Sequence, residues 1–205
     1  ADGRPMRDVE VRGLSKSFGG RVLFRRLNLT FRAGEITVLA GENGVGKTTL
    51  LRMMLGLERP DSGEISGLPD ARSALFQEDR LLPDLSAARN VALGCRRPPP
   101  REDVLRALDA VGLRESADVP ARELSGGMAR RAALVRALMA PGELVLLDEP
   151  FSGLDWVNLH RAAAFIRAAR AGRTLIAVVH GVDAEAALGG RLLRLEPSGA
   201  AEGTG

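Results

Sequence analysis

Apolar and polar residues alternate at the start of the chain, over Val9 to Leu14 and again over Arg21 to Arg32, where Val22, Phe24, Leu27, Leu29 and Phe31 are the apolar positions. This period of two predicts antiparallel strands with one buried face, a small β-layer opening the fold. Glu35 to Ala40 is a β-rich run that stops at the glycines of Gly41 to Gly46, and Thr48 to Leu57 then takes up helical spacing. The segment therefore reads as strand, loop, helix. Two further apolar runs, Leu144 to Leu147 and Thr174 to Val179, are short, bounded by Gly or Pro, and followed by charged or ionisable residues. Continuous apolar runs of this kind predict strands of a parallel sheet covered on both faces.

Between Gln77 and Leu124 the spacing becomes mostly helical, with Leu85 to Leu93 and Glu102 to Val111 joined by Arg96-Arg97-Pro98-Pro99-Pro100-Arg101. Three consecutive prolines fit neither a helix interior nor a central strand, so they mark a stiff surface connector. The expected organisation is a single domain over 1–205. Its core with the β-layer takes about 7–80 and 140–196, a helical subdomain is inserted at about 81–139, and a polar tail over Pro197 to Gly205 is expected to be disordered. No internal repeat is visible.

Composition narrows the class without naming a function. At 205 residues, 45% hydrophobic and 27% charged, the chain can fill one globular core. Its apolar runs fall far short of the ~20 residues that a membrane-spanning helix needs. The first residues, Ala1-Asp2-Gly3-Arg4-Pro5, lack the apolar stretch of a secretory signal, and Cys95 is the only cysteine, so a cytoplasmic location is expected and Cys95 reads as a small structural hydrophobe. The net charge is +3, with 29 basic residues against 26 acidic ones, and aromatic content is 3% with no Tyr. Near balance of charge and few stacking platforms argue against a nucleic-acid partner. The arginines at 96, 97 and 101 flank the proline connector and read as a solvated edge.

Gly41-Glu42-Asn43-Gly44-Val45-Gly46-Lys47-Thr48, followed by Thr49, fits the phosphate-loop pattern in the strand-to-helix context it requires. Glycines let backbone N–H groups wrap phosphates and the helix N-terminus adds positive dipole. Lys47 brings an ammonium to the β and γ phosphates, and Thr48 supplies a hydroxyl ligand for Mg²⁺. Lys16 and Lys47 are the only lysines in an arginine-rich chain, so a compact point charge is selected at Lys47. Leu144 to Leu147 leads into Asp148 and Glu149, two adjacent carboxylates at the C-terminal end of a predicted parallel strand, the edge where ligands of such sheets collect. Asp148 is the candidate to hold Mg²⁺ through water, and Glu149 the candidate to polarise the water that attacks the γ-phosphate. These residues predict ATP and Mg²⁺ as the ligands.

Leu124-Ser125-Gly126-Gly127, upstream of that strand and at the start of a helix, gives the chain its resemblance to the ABC ATPase family, over about Val9 to Leu195. Ser125 is a suitable N-cap for a helix whose apolar face is Met128, Ala132, Val135 and Met139. The resemblance implies an α/β phosphate-loop NTPase with a mainly parallel core sheet, an N-terminal antiparallel β-subdomain and an inserted helical subdomain. It further implies that Phe18 stacks on adenine, that Gln77 touches Mg²⁺ and the attacking water, and that His180 lies near the γ-phosphate. Ser152-Gly153-Leu154-Asp155 resembles the loop that crosses the dimer interface, where Ser125, Gly126 and Gly127 act on the partner's ATP in a head-to-tail homodimer or heterodimer. His160 matches no site and reads as a surface residue. Arg130-Arg131 reads as a basic pair facing solvent or a partner. Two departures stand out: Met128 replaces the usual Gln after the signature, and Gly181 replaces the usual Asp after the switch histidine. They put in doubt a polar contact and the stiffness of the loop, and imply slower hydrolysis.

Partners implied by the resemblance are a membrane-spanning transporter subunit and, indirectly, a solute-binding protein, with the chain on the cytoplasmic face of the membrane. Gln77 to Pro83 together with Asn90-Val91-Ala92-Leu93 resembles importers of the nitrate, sulfonate and taurine group. The alternative is a soluble ATPase of the same type acting in translation, DNA repair or cluster assembly, whose members usually carry paired cassettes or long inserts. A cassette that binds ATP without hydrolysing it is countered by Lys47, Asp148, Glu149 and His180.

Overall fold

In the computed structural model, residues 6–196 and the backbone of 201–204 are described. β1 (Val9–Phe18) and β2 (Arg21–Phe31) form the antiparallel pair that alternation predicts. β3 (Ile36–Gly41) leads through the glycine loop into α1 (Lys47–Met54). This helix ends before the expected Leu57: Gly56 takes φ 73°, its N–H donates to Met53 O, and the Leu57 N–H donates to Arg52 O. That paired closure through a left-handed glycine terminates a helix whatever its apolar spacing.

β4 (Ser62–Ser66) joins the far side of β1, and β5 (Arg72–Leu75) opens the main sheet. The helical insert holds α2 (Ala87–Leu93), α3 (Arg101–Ala110) and a short 3₁₀ turn, and α4 (Gly126–Met139) follows. β6 (Leu144–Asp148), α5 (Trp156–Ala169), β7 (Thr174–Val178), α6 (Val182–Leu188), β8 (Arg191–Leu195) and β9 (Ala201–Thr204) complete the chain. Strand order in the main sheet is β5-β6-β7-β3-β8-β9, parallel except for β9. The expected disorder of Pro197 to Gly205 is therefore corrected for Ala201–Thr204, which pairs with the open edge of β8 and satisfies its backbone groups there. Residues 197–200 and 205 lie outside the described residues. β4, β5 and β8 are short or carry polar residues at alternate positions, which hides them from a periodicity search.

Burial explains the unbroken apolar runs. Leu144, Leu146, Ile176 and Val178 face the core shared with the β-layer and α1, while Val145, Leu147, Leu175 and Ala177 face α4, α5 and α6. Strands covered on both faces have no polar side to show. A third apolar cluster fills the helical insert around Val91, Leu108 and Leu113, and takes Ala132 and Val135 from α4. α4 thus contributes to two cores, Ala133, Leu134, Ala137 and Leu138 lying on the sheet side. A helix that is apolar nearly all round is a buried helix. Ser125 caps it as expected, its Oγ accepting from the Met128 N–H at 3.3 Å.

Within the insert, α2 is fastened to the turn preceding it by Asn90, which is fully buried. Its Oδ1 accepts from the Leu82 N–H at 2.7 Å, and its Nδ2 donates to Leu82 O and Leu85 O at 3.0 Å and to Ser86 O at 3.1 Å. Truncating this side chain removes four hydrogen bonds from a fully buried position and leaves the Leu82 N–H without its partner, while the carbonyls of Leu82, Leu85 and Ser86 keep the backbone donors Leu85, Ala121 and Asn90. Asn90→Ala is expected to cost about 3 kcal/mol. In a domain of this size that lowers Tm by roughly 6–12 °C, measurable by circular dichroism.

Candidate functional site

Three neighbouring strands end at one edge of the sheet. β3 ends in the glycine loop, β6 ends at Asp148, and β7, which lies between them, leads into His180. The crevice outside these carboxyl ends is lined by Asn43, Gly44, Gly46, Lys47, Thr48, Thr49, Gln77, Glu149 and His180. The structure therefore gathers most of the expected phosphate and metal residues in one cleft.

The loop is shaped by glycine where a side chain is excluded. Gly46 caps α1 at φ 108°, and a Cβ there would meet the Phe24 ring at 2.5 Å. Arg21 Nη2 donates to Gly44 O at 3.2 Å, so β2 braces the loop from the β-layer. Lys47 is buried, and its ammonium donates to Gly41 O at 2.7 Å and Glu42 O at 2.8 Å. Burial lowers its pKa, against the opposing pull of the Glu149 and Asp148 charges.

Thr48 Oγ1 donates to Asp148 Oδ1 at 3.2 Å, joining two of the three expected metal ligands across the loop and strand ends. Asp148 is buried, and its pKa is raised, first by that burial and further by the Glu149 charge, while the Thr48 hydroxyl, Arg130 and His180 act the other way. Among the described residues no group of three or more His, Cys, Asp and Glu surrounds a metal position. A hydroxyl beside one buried carboxylate fits Mg²⁺, which takes one or two protein oxygens and completes its octahedron with phosphate oxygens and water.

Glu149 holds φ 52°, left-handed for a residue with a side chain, and its N–H donates to Val178 O at 2.9 Å. Its Oε1 lies 3.3 Å from His180 Nε2. Gly181, the departure after His180, sits at φ 94°, ψ 142° and caps α6. Glycine there supplies a conformation that residues with side chains rarely adopt.

The remaining expected residues lie apart from this cleft. Phe18, 47% exposed at the end of β1, has the Lys16 ammonium 4.6 Å from its ring centroid and does not line the cleft. Gly127 borders Gly153 and Leu154 of the same chain, so the signature and the Ser152–Asp155 turn form one surface. Asp155 caps α5, accepting from Asn158 N at 2.9 Å and Asn158 Nδ2 at 2.7 Å, and the Asn158 backbone bond is the main cause of its lowered pKa. Met128 packs its side chain against the insert's apolar cluster. His160 is half-buried, with Nδ1 2.9 Å from Trp156 O and its ring tilted by 36° against that of Trp156.

Arg130 and Arg131 overturn the expectation of a basic pair facing solvent or a partner. Both are buried. Arg131 donates to Val111 O at 2.6 Å and Gly127 O at 3.1 Å, tying α4 to the insert. Arg130 reaches the backbone of Phe76, Gln77, Asp148 and Glu149 and the carboxylate of Asp79. A signal for this existed: apolar residues at 132, 133, 134, 135, 137 and 138 leave the first turns of the helix no wide solvent face.

The fold and this cleft define a phosphate-loop ATPase. The family model described as ABC transporter matches residues 24–152. The chain is 43% identical over 187 residues to the aliphatic sulfonates import ATP-binding protein SsuB 3 of Paraburkholderia xenovorans, covering 90% of this chain and 75% of the relative. It is also 43% identical over 191 residues to SsuB 1 of Nocardia farcinica, covering 92% and 78%. The dimeric bacterial ABC transporter cassette MJ0796 shares the fold with a TM-score of 0.79 at 25% identity, over 95% of this chain and 96% of that one. This chain belongs to the ABC transporter family. It is an ATP-binding cassette that hydrolyses ATP to power transport.

Burying the Asp148 charge disfavours the folded state, because a raised folded-state pKa means that stability falls as pH rises through it. Asp148→Asn is expected to raise Tm at neutral pH, with the difference shrinking as the pH falls through the raised Asp148 pKa and gone below the ordinary carboxylate range. The same variant is expected to lose Mg²⁺-dependent ATP hydrolysis. Calorimetry across pH and a phosphate-release assay check the two halves.

Proposed function

We propose that this cassette drives import of an aliphatic sulfonate or a related small oxyanion, as the peripheral ATPase of a membrane complex on its cytoplasmic face. The observation that carries the reading is the 43% identity, over 90% of this chain, to an ATP-binding protein for aliphatic sulfonate import. The Gln77 to Pro83 segment supports the same group. Among the described residues no helix is long and apolar enough to cross a membrane, and in this reading the solute path belongs to a membrane-spanning subunit.

In the hydrolytic cycle, the N–H groups of residues 41–49 and the Lys47 ammonium bind the β and γ phosphates. Thr48, Asp148 and Gln77 would hold Mg²⁺, which would neutralise phosphate charge. Glu149 accepts the proton of the attacking water, and His180, 3.3 Å from its carboxylate, orients that carboxylate and contacts the γ-phosphate. Phe18 offers its exposed ring to adenine. Ser125, Gly126 and Gly127, with Asp155 behind them, act on the ATP of a second cassette in a head-to-tail dimer. Their contact with the Ser152–Asp155 turn supports that arrangement, because it gives one continuous surface distinct from the chain's own phosphate cleft.

Glu149→Gln is expected to bind ATP, trap the dimer and lose at least ~100-fold in turnover, a loss typical of removing a general base. Gel filtration with ATP and single-turnover hydrolysis measure this, and undiminished turnover removes Glu149 as the base. For the load, the complex reconstituted with its membrane subunit and solute-binding protein is expected to hydrolyse ATP faster when an alkanesulfonate is supplied. Stimulation by ribosomes or DNA instead would support the soluble alternative.

A further inference from the structure

Arg130 is 3% exposed in the second turn of α4, a position where a guanidinium without partners would be strongly disfavoured. Its Nη1 donates to Phe76 O at 2.6 Å, to Gln77 O at 3.2 Å and to Asp79 Oδ1 at 2.7 Å. Its Nη2 donates to Asp148 O and, at 2.8 Å, to Glu149 O, which also accepts from Nε at 3.1 Å. One planar group thus joins the end of β6 to the segment that follows β5. Arg136, nearly two turns further along α4, donates to Arg80 O at 2.7 Å and Asp79 O at 2.6 Å, which holds the same segment from beneath.

The backbone of Glu149 makes this contact consequential. Its left-handed φ of 52° is unfavourable for a residue with a side chain and persists only where surroundings enforce it. The Glu149 N–H is held by Val178 O, and its carbonyl is held by Arg130 from two nitrogens. With both peptide groups fixed, the direction in which the side chain leaves the backbone is fixed as well, toward His180. The carbonyl of Gln77 is fixed by the same guanidinium, so the separation of Gln77 from Glu149 is set by a rigid fork.

We propose that Arg130 is a positioning residue for hydrolysis, holding Glu149 in its left-handed conformation and in register with Gln77. The proposal rests on Glu149 being the base. It requires the fork and not only the charge: a lysine in its place is a point charge with no planar geometry to span five carbonyl and carboxylate groups. Arg130 touches neither the phosphate loop nor the exposed Phe18 ring and meets Gln77 and Asp148 only at their backbone carbonyls, so the phosphate contacts of residues 41–49 remain without it.

The test compares ATP affinity, turnover and Tm in purified Arg130→Met, Arg130→Lys and Glu149→Gln variants. Arg130→Met is expected to lose about 100-fold in kcat, the scale of an ångström-sized misplacement of a catalytic group, while KM and directly measured ATP affinity stay within about 3-fold of the parent. Arg130→Lys is expected to restore part of kcat. Parental kcat in Arg130→Met, or equal losses in affinity and turnover, overturns the proposal. Should Arg130→Met fail to fold, Arg130→Lys carries the test: lowered kcat at unchanged KM supports the fork, and parental kcat overturns it. Glu149→Gln separates the two readings. Lost turnover there beside parental turnover in Arg130→Met removes the clamp and leaves the base, whereas undiminished turnover in Glu149→Gln removes the base and the clamp with it.

Discussion

The ladder that pairs β6 with β7 and β7 with β3 carries the rest of the structure. Its registers run Leu144–Thr174 to Asp148–Val178 and Ile36–Leu175 to Leu39–Val178, so the carboxyl ends of the three strands lie side by side, β3 running two residues further to Gly41. All five residues of β6 and of β7 are buried, so both strands are covered on both faces and are held by two cores. Because the ends lie side by side, the glycine loop, the paired carboxylates and His180 converge without any of them being near the others in sequence.

Convergence has an electrostatic consequence. Asp148 is buried beside Glu149, and Lys47 is buried with its ammonium on loop carbonyls, so burial shifts both toward their neutral forms. Arg130 approaches from behind the strand end and the Thr48 hydroxyl from the front, and both act against the rise in the Asp148 pKa. A cleft with displaced titrations and a surplus of acceptor oxygens is poised for a polyanion bridged by a divalent cation.

α4 connects this chemistry to the other half of the cassette. Its N-terminus presents Ser125, Gly126 and Gly127 next to the Ser152–Asp155 turn, and its second turn carries the guanidinium that holds Gln77 and Glu149. Its flanks fill the sheet core on one side and the insert's core on the other. A displacement of the helix therefore moves Ser125, Gly126 and Gly127 together with the backbone of Gln77 and Glu149.

Local patterning determined much of this chain. The alternation over β1 and β2, the apolar runs of β6 and β7, the glycine loop and the caps at Ser125 and Asp155 are short-range features whose physics lies within a few residues. The ionisable groups of the cleft were legible for the same reason, each sitting at the end of an element that its neighbours specify. β4, β5 and β8 were not legible, because a short strand with polar positions forms only when another edge receives it. The pairing of Ala201–Thr204 with β8 belongs to the same class. Arg130 marks the limit most clearly. Its residue type says only that a cation is present, whereas its five acceptors come from segments more than 50 positions upstream and about 18 positions downstream, and folding alone brings them within reach of one guanidinium.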